Sequence, residues 1–385
     1  MVGQIAARTP WSPVEALSPP TIYSFAFDDV TNELSHIGNF SGATGPTIWL
    51  AFSHDKKTLF STNGGGWASY DITRDAITKH PILSPPTTIP STGPCQNSTT
   101  TNQIITSSNG FIYGIHYGGG PKGADTTSRS NCGEVLGPIR GSKGNFQSIQ
   151  AFEYGLPFNS SAHGLALSPN EKWLYSVDMR SDALYTHSVD RKTGKVALAS
   201  RVDTELGAHP RHVAVHSSGK RVYIVNEAAN TLSVWSSEGK NASKPVWEEE
   251  WDLLSGFGHE VKNRTQFWSS EVQVDPKGEF VFASTRVYEG DIPGYYSVYK
   301  VNKKDGKIES LLTRQETKLK GQEVAHQFKV AKWRKGHYIY LANPRIAGMG
   351  GLEILRWDSR NNKLESVADF TLGDKGCCSA ADWLD

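Results

Sequence analysis

HGLALSPNEKWLYSVDMRSDALYTHSVD, residues 163–190, reads as a short apolar strand, a Ser-Pro-Asn-Glu turn, a second strand ending in a polar residue, and a third strand with alternating aromatics. The pattern returns as RHVAVHSSGKRVYIVNEAANTLSVWSSE at 211–238 and as SEVQVDPKGEFVFASTRVYEGD at 270–291, which resumes as YYSVYKVN at 295–302. Pro presets φ at such turns and Gly relaxes it, so both punctuate strands. Looser copies start at Ile48 (IWLAFSHDKKTLFSTNGGGWASYDIT), Asn102 (NQIITSSNGFIYGIHYG) and His326 (HQFKVAKWRKGHYIYLANP, then GLEILRWD). Six units spaced roughly fifty to sixty residues apart have the period of propeller blades. A seventh is assembled from the ends, with SAADWLD at the C-terminus as an inner strand and TIYSFAFDD and ELSHIGNF as outer strands. Joining the termini removes the sheet edges that would otherwise be exposed. The expected fold is all-β, a seven-bladed β-propeller closed by pairing of N- and C-terminal strands. Residues 21–385 form its single domain, and the Pro- and Ser-rich residues 1–20 are an arm on its surface.

The 385 residues carry a net charge of +1 with acids and bases interspersed, so no electrostatic footprint for nucleic acid is present. No apolar stretch approaches the roughly 20 residues needed to span a bilayer. Asn-x-Ser/Thr sequons at Asn39, Asn97, Asn159, Asn241 and Asn263 are acceptors for N-glycans and point to the secretory pathway. Met1 begins no signal segment, so the alternatives are a trimmed leader and a cytoplasmic protein. Cys95 and Cys132 lie in loop-like sequence on either side of the second unit and suit a disulfide; the adjacent Cys377 and Cys378 form either a vicinal disulfide or two free thiols. Gly64, Gly65 and Gly66 read as a loop rather than a phosphate cradle, because no helix follows to offer its N-terminus. The Trp-rich stretch from Lys240 to Trp268 reads as an insertion that covers one mouth, and Gly118–Asn145 as a long polar loop.

Superposing the units aligns His163, Arg211, Ser270 and His326 at the start of the first strand, and Glu227 with Arg286 at the end of the second. In an antiparallel pair the start of one strand lies beside the end of the next, and first strands line a propeller's channel. The set is therefore expected at one mouth. Arginine forks hold planar oxyanions bidentately, and histidine moves a proton near neutral pH. His163, Arg211, Glu227 and Arg286 are the candidate catalytic residues; His326, His209 and Ser270 are candidates for binding substrate. Two histidines and a glutamate are also a metal trio, but the two neighbouring cations oppose a metal ion, so none is expected. The plainer alternative is that these polar strand ends tie blades together. His212 and His216 are weaker candidates, and His216, at a turn position held elsewhere by Ser168 and Asp275, reads as structural.

At these residues the sequence resembles the fungal 3-carboxy-cis,cis-muconate cyclases, a branch of the lactonase-like seven-bladed propellers. SAHGLALSPNEKWLYSVD, GAHPRHVAVHSSGKRVYIVNEAAN, FASTR and the terminal SAADWLD carry the likeness. It runs from Ile22 onward, strong in the third to fifth units and weak from Ser84 to Asn145. The His, the two Arg and the Glu of the cyclase pocket match His163, Arg211, Arg286 and Glu227. The resemblance implies a cofactor-free cyclisation: arginines grip the carboxylates of a conjugated acid, one carboxylate adds across an alkene, and His163 transfers a proton. Preorganised cations would stabilise the enolate-like charge. Cyclase-like propellers are also associated with fungal secondary metabolism, in which relatives are linked to dehydration of a hydroxymethyl-tropolone to a quinone methide and its hetero-Diels–Alder addition to a terpene alkene. That use is favoured here, because two arginines supply little charge for a triacid. A true muconate-lactonizing enzyme, a lactonase and a non-catalytic binding propeller are the alternatives.

Overall fold

The computed structural model describes residues 4–7, 21–41, 45, 47–98, 100–117, 131–139, 145–154, 161–256, 261, 263–322, 324–331, 338–345, 351–371 and 380–384. Among these residues there are seven sheets and no α-helix, as expected of a seven-bladed β-propeller. The chain packs as two compact units: residues 1–163 with 190–196 and 376–385, and residues 164–189 with 197–375.

In the first unit, Ala380–Asp382 pairs with Gln4–Ala7, which pairs with Thr21–Asp28, which pairs with Glu33–Ser41. The closing sheet therefore takes its innermost strand from the C-terminus. Within residues 1–20, read above as a surface arm, Gln4–Ala7 is instead the second strand of this sheet, with Ile5 opposite Asp382 and Ser24. The next sheet runs Leu50–Phe52, Thr58–Asn63, Gly66–Arg74, Pro81–Leu83, with Thr87–Ile89 also on Gly66–Arg74. The three glycines there make a hairpin: Asn63 pairs with Gly66, and Gly64 takes φ +62°. The third sheet runs Thr101–Thr106, Ile112–His116, Cys132–Pro138, Phe146–Glu153. Cys132 thus opens a strand, in sequence read as loop, and is joined to Cys95 by a disulfide with a Cα–Cα distance of 5.7 Å. Cys377 and Cys378 lie outside the described residues, as does Asn159.

In the second unit the sheets take consecutive strands in order, as in Pro210–Val215, Arg221–Asn226, Thr231–Ser236, Val246–Asp252. The sequence VYIVN is β-branched and aromatic, and every residue of Arg221–Asn226 is buried because sheets cover both of its faces. Tyr223 and Val225 pack on Val281, Ala283 and Tyr299 of the next sheet, while Val222 and Ile224 pack on Tyr175 and Val177 of the previous one. Part of the expected insertion is this blade's outer strand, Val246–Asp252, whose Trp251 packs against the core and whose Trp247 is exposed. Gly164 permits a close approach: a Cβ there would lie 2.6 Å from the Arg211 carbonyl oxygen and 2.7 Å from His212 Cα.

Candidate active site

Three inner strands of the second unit position the cluster. The register of Pro210–Val215 against Arg221–Asn226 shifts between Pro210 and His212, so Arg211 is the extra residue of a β-bulge. The strand Phe267–Val274 slips in the same way between Ser269 and Val272, around Ser270. Bulges re-aim a side chain that regular pleating would bury against a neighbouring sheet. Glu227 follows the strand Arg221–Asn226, and its backbone N–H donates to the His209 carbonyl at 2.8 Å. Arg286 is the next-to-last residue of the adjoining sheet's second strand, Phe280–Val287, and His326 precedes Lys329–Val330.

Arg211, Glu227, Ser270, Arg286 and His326 meet in one hydrogen-bonded group. Glu227 Oε2 lies 2.8 Å from Arg211 Nε and accepts from Arg286 Nη2 at 2.8 Å. Arg211 Nη1 donates to the Ser270 carbonyl at 2.7 Å and to Ser270 Oγ at 2.9 Å, and Ser270 Oγ donates to the His326 carbonyl. The His326 imidazole sits between both guanidiniums, with Nε2 2.9 Å from Arg211 Nη2 and Nδ1 3.1 Å from Arg286 Nη1. A neutral imidazole has one lone pair and one N–H. It can accept from only one of the two arginines, so the other contact sets donor against donor. An oxyanion inserted at that contact would accept from both groups.

Arg211, Glu227 and Arg286 are 4 %, 2 % and 7 % exposed. With His326 neutral, the group's formal charge is +1. The Arg286 guanidinium also lies 5.2 Å from the Trp268 ring centroid, and Trp268 stacks on Tyr288 with centroids 3.7 Å apart and 16° between planes.

Behind Arg211, the buried His212 Nδ1 donates to Glu271 Oε2 at 2.9 Å. Burial holds the His212 imidazole below its usual range, against the pull of the Glu271 charge. Burial would raise the Glu271 carboxyl, but the neighbouring His212, through its charge and its hydrogen bond, and the Gln273 hydrogen bond outweigh it and the group is lowered. His216 ties two turns together, with Nε2 3.0 Å from the Gly278 carbonyl, as its turn position suggested. His209 adopts φ +55°; its N–H donates to Asp182 Oδ1 at 2.8 Å while its carbonyl holds Glu227. Its backbone therefore places the carboxylate, a part that its selection as a binding residue did not foresee.

His163 belongs to the first unit and is the second residue of the inner strand Ala162–Leu167, as Arg211 is of Pro210–Val215. Its ring meets Tyr117 edge-on at 5.5 Å, and its carbonyl accepts from Asn102 Nδ2 at 3.0 Å. Elsewhere in that unit Glu134 accepts from Trp67 Nε1 at 2.8 Å, His116 Nε2 at 3.0 Å and Ser148 Oγ at 2.8 Å. Cys95, His116 and Cys132 place ligand-type atoms within 4.8 Å of one another, but the two sulfurs are joined to each other.

The family described as lactonase, 7-bladed beta-propeller, matches residues 15–379. The chain belongs to this family. It is similar to the carboxy-cis,cis-muconate cyclase of Neurospora crassa, 24% identical over 391 residues and covering 97% of each chain. It is also similar to muconate cycloisomerase 1 of Cutaneotrichosporon cutaneum, 27% identical over 296 residues, 73% of each. The solved periplasmic gluconolactonase of Pseudomonas aeruginosa shares the fold, with a TM-score of 0.71 and 16% identity over 99% of this chain and 98% of that one. Relatives of this propeller are thus cyclases and lactonases.

Sequence reasoning missed Trp268, Tyr288 and Asp182. Trp268 pairs directly with Arg286 in the strand register. It would have been found had the strand been started at Phe267 rather than Ser270. Asp182 clamps the approach to Arg211 by accepting from the N–H groups of Gly207 and His209, both at 2.8 Å; nothing in its sequence position signalled this.

Proposed function

We propose that this lactonase-family propeller is a cofactor-independent cyclase acting on a planar, conjugated monoanion. The observation that carries the reading is the pair of buried guanidiniums converging on one carboxylate and one imidazole, with a formal charge of +1 and a donor-against-donor contact that an oxyanion relieves. Such a site suits one negative charge spread over adjacent oxygens, as in a tropolonate, better than it suits a triacid. Low exposure strengthens each donor, and the donors are set before any charge develops.

In its finer form the reaction is one of secondary metabolism. A hydroxymethyl-tropolone binds through its ring oxygens. An acid protonates the carbinol oxygen, the C–O bond breaks and water leaves, and the negative charge on the ring oxygens becomes the carbonyl of a neutral quinone methide. The resulting quinone methide adds to a terpene alkene, forming one C–C and one C–O bond with no atom lost. Holding diene and alkene together supplies much of the rate. The full-length similarity to a carboxy-cis,cis-muconate cyclase supports lactonization of a carboxymuconate as the second reading.

Arg211→Ala is expected to abolish turnover, with circular dichroism showing that the fold survives. Full activity in this variant rules the site out. Tropolone is expected to raise the melting temperature of the native protein and not of Arg286→Met, because a ligand of the folded state stabilises it. Incubation with carboxymuconate and simple lactones decides between the readings. We also place the chain in the secretory pathway, on its Cys95–Cys132 disulfide and on the exposed sequon residues Asn39, Asn97 and Asn263. A mass unchanged by endoglycosidase in protein from a secreting host would count against that.

A further inference from the structure

Along one side of the guanidinium group, polarity falls as exposure rises. Glu227 and Arg286 are buried, Trp268 is half-buried, and Tyr288 is 40 % exposed. Trp268 lies under the Arg286 guanidinium and stacks flat on Tyr288. The pair has a firm base. The residues alternating with it, Phe267 and Val287, pair opposite one another and pack with Leu254, Ile292 and Tyr295. The Tyr288 N–H is fixed to the Gln266 carbonyl at 2.7 Å. The ledge is thus rigid aromatic surface that continues outward from an anion site, at little entropic cost to a ligand.

We infer that Trp268 and Tyr288 seat the apolar part of the substrate, so that the protein selects amphiphiles with a planar anionic head and a hydrocarbon portion beside it. This rests on the anion-site reading above and names the substrate class of that site. A stacked pair that only shielded Arg286 would not distinguish ligands of the same head and different tails.

The test is calorimetric titration with benzoate and 4-butylbenzoate. The native protein is expected to bind the butyl acid about tenfold more tightly, as for a partly buried four-carbon chain. Tyr288→Ala, at an exposed position that the fold tolerates, should cut that gain to about threefold or less while leaving benzoate within about twofold. Trp268→Phe should keep part of the gain. An equal gain in Tyr288→Ala, or no gain in the native protein, overturns the ledge. Arg286→Met is the separate control: if it binds both acids as tightly as the native protein, the anion site is wrong, while the comparison at Tyr288 still decides the ledge. If the native protein binds neither acid, both readings fall.

Discussion

Replacing Glu227 by glutamine removes one negative charge from between two cations without changing the side chain's shape. Glu227 Oε2 lies 2.8 Å from a nitrogen of each arginine, and all three residues are less than a tenth exposed. Removing one partner from such a group leaves the rest uncompensated, at about 3–5 kcal/mol. An unfolding entropy of about 2.1 cal/mol/K per residue over 385 residues is about 0.8 kcal/mol/K, so the melting temperature should fall by about 4–6 °C. The formal charge of the group rises from +1 to +2, so tropolone should bind more tightly in the same variant. Differential scanning calorimetry with and without tropolone reads both effects. The double variant Glu227→Gln/Arg286→Gln removes one charge of each sign and should regain at least half of the lost stability. A melting temperature unchanged within about 1 °C in Glu227→Gln, or a double variant whose losses simply add, refutes the argument that these charges balance one another.

Gly164→Ala should destabilise the fold by about 1–3 kcal/mol, read from the urea midpoint, because the new Cβ meets Arg211 and His212 backbone, which must shift. An unaltered midpoint would show that the two strands have room to part. Burial lowers the His187 imidazole to about 4. Its unfolded form takes up a proton first, so stability falls as pH drops from about 6.5 to about 4, by about 3 kcal/mol; His187→Gln should flatten that part of the profile. Burial opposes ionisation of Glu134, but the His116 and Trp67 hydrogen bonds bring its carboxyl down to about 2. Its contribution is present above about 4.5 and lost as pH falls towards about 2; an equal acid slope in Glu134→Gln would contradict this. Cys95→Ser/Cys132→Ser should cost about 4 kcal/mol, since the bridge closes a loop with a sequence separation of 37. Retention of the native urea midpoint would show that the reduced chain is already constrained.

What was legible in the sequence was what the repeat expresses through side-chain type. The turn positions Ser168, His216 and Asp275 align, and the near-continuous apolar runs that open VYIVN and VFAST mark strands buried on both faces. The convergence of Arg211, Ser270 and His326 with Glu227 and Arg286 followed from antiparallel pairing and from the first strands lining a propeller's channel. The bulges that turn Arg211 and Ser270 out of the pleat could not be read, because they are properties of a strand pair. Outer strands were the weakest part. Val246–Asp252 carries four acids in seven residues and Cys132–Pro138 carries two glycines, so neither looks like a strand until a neighbour supplies its hydrogen bonds. Gln4–Ala7 was hidden for a further reason: its pairing partner Ala380–Asp382 lies at the other end of the chain.

The repeat also contains its own control on whether the charges serve the fold. The residue one past the second strand is Glu227 after Arg221–Asn226 but Met179 after Trp173–Asp178 and Tyr117 after Ile112–His116. Met179 and Tyr117 are buried too, so this position closes its blade without any charge. Replacing a whole buried ionic group by apolar side chains of similar size is often neutral or stabilising by about 1–4 kcal/mol. Arg211→Leu/Glu227→Met/Arg286→Met should therefore fold with a melting temperature at or above that of the native protein. It should also fail to bind tropolone or benzoate. If the triple variant instead unfolds, the guanidiniums and the carboxylate are braces between blades, and the anion-binding reading loses its physical basis.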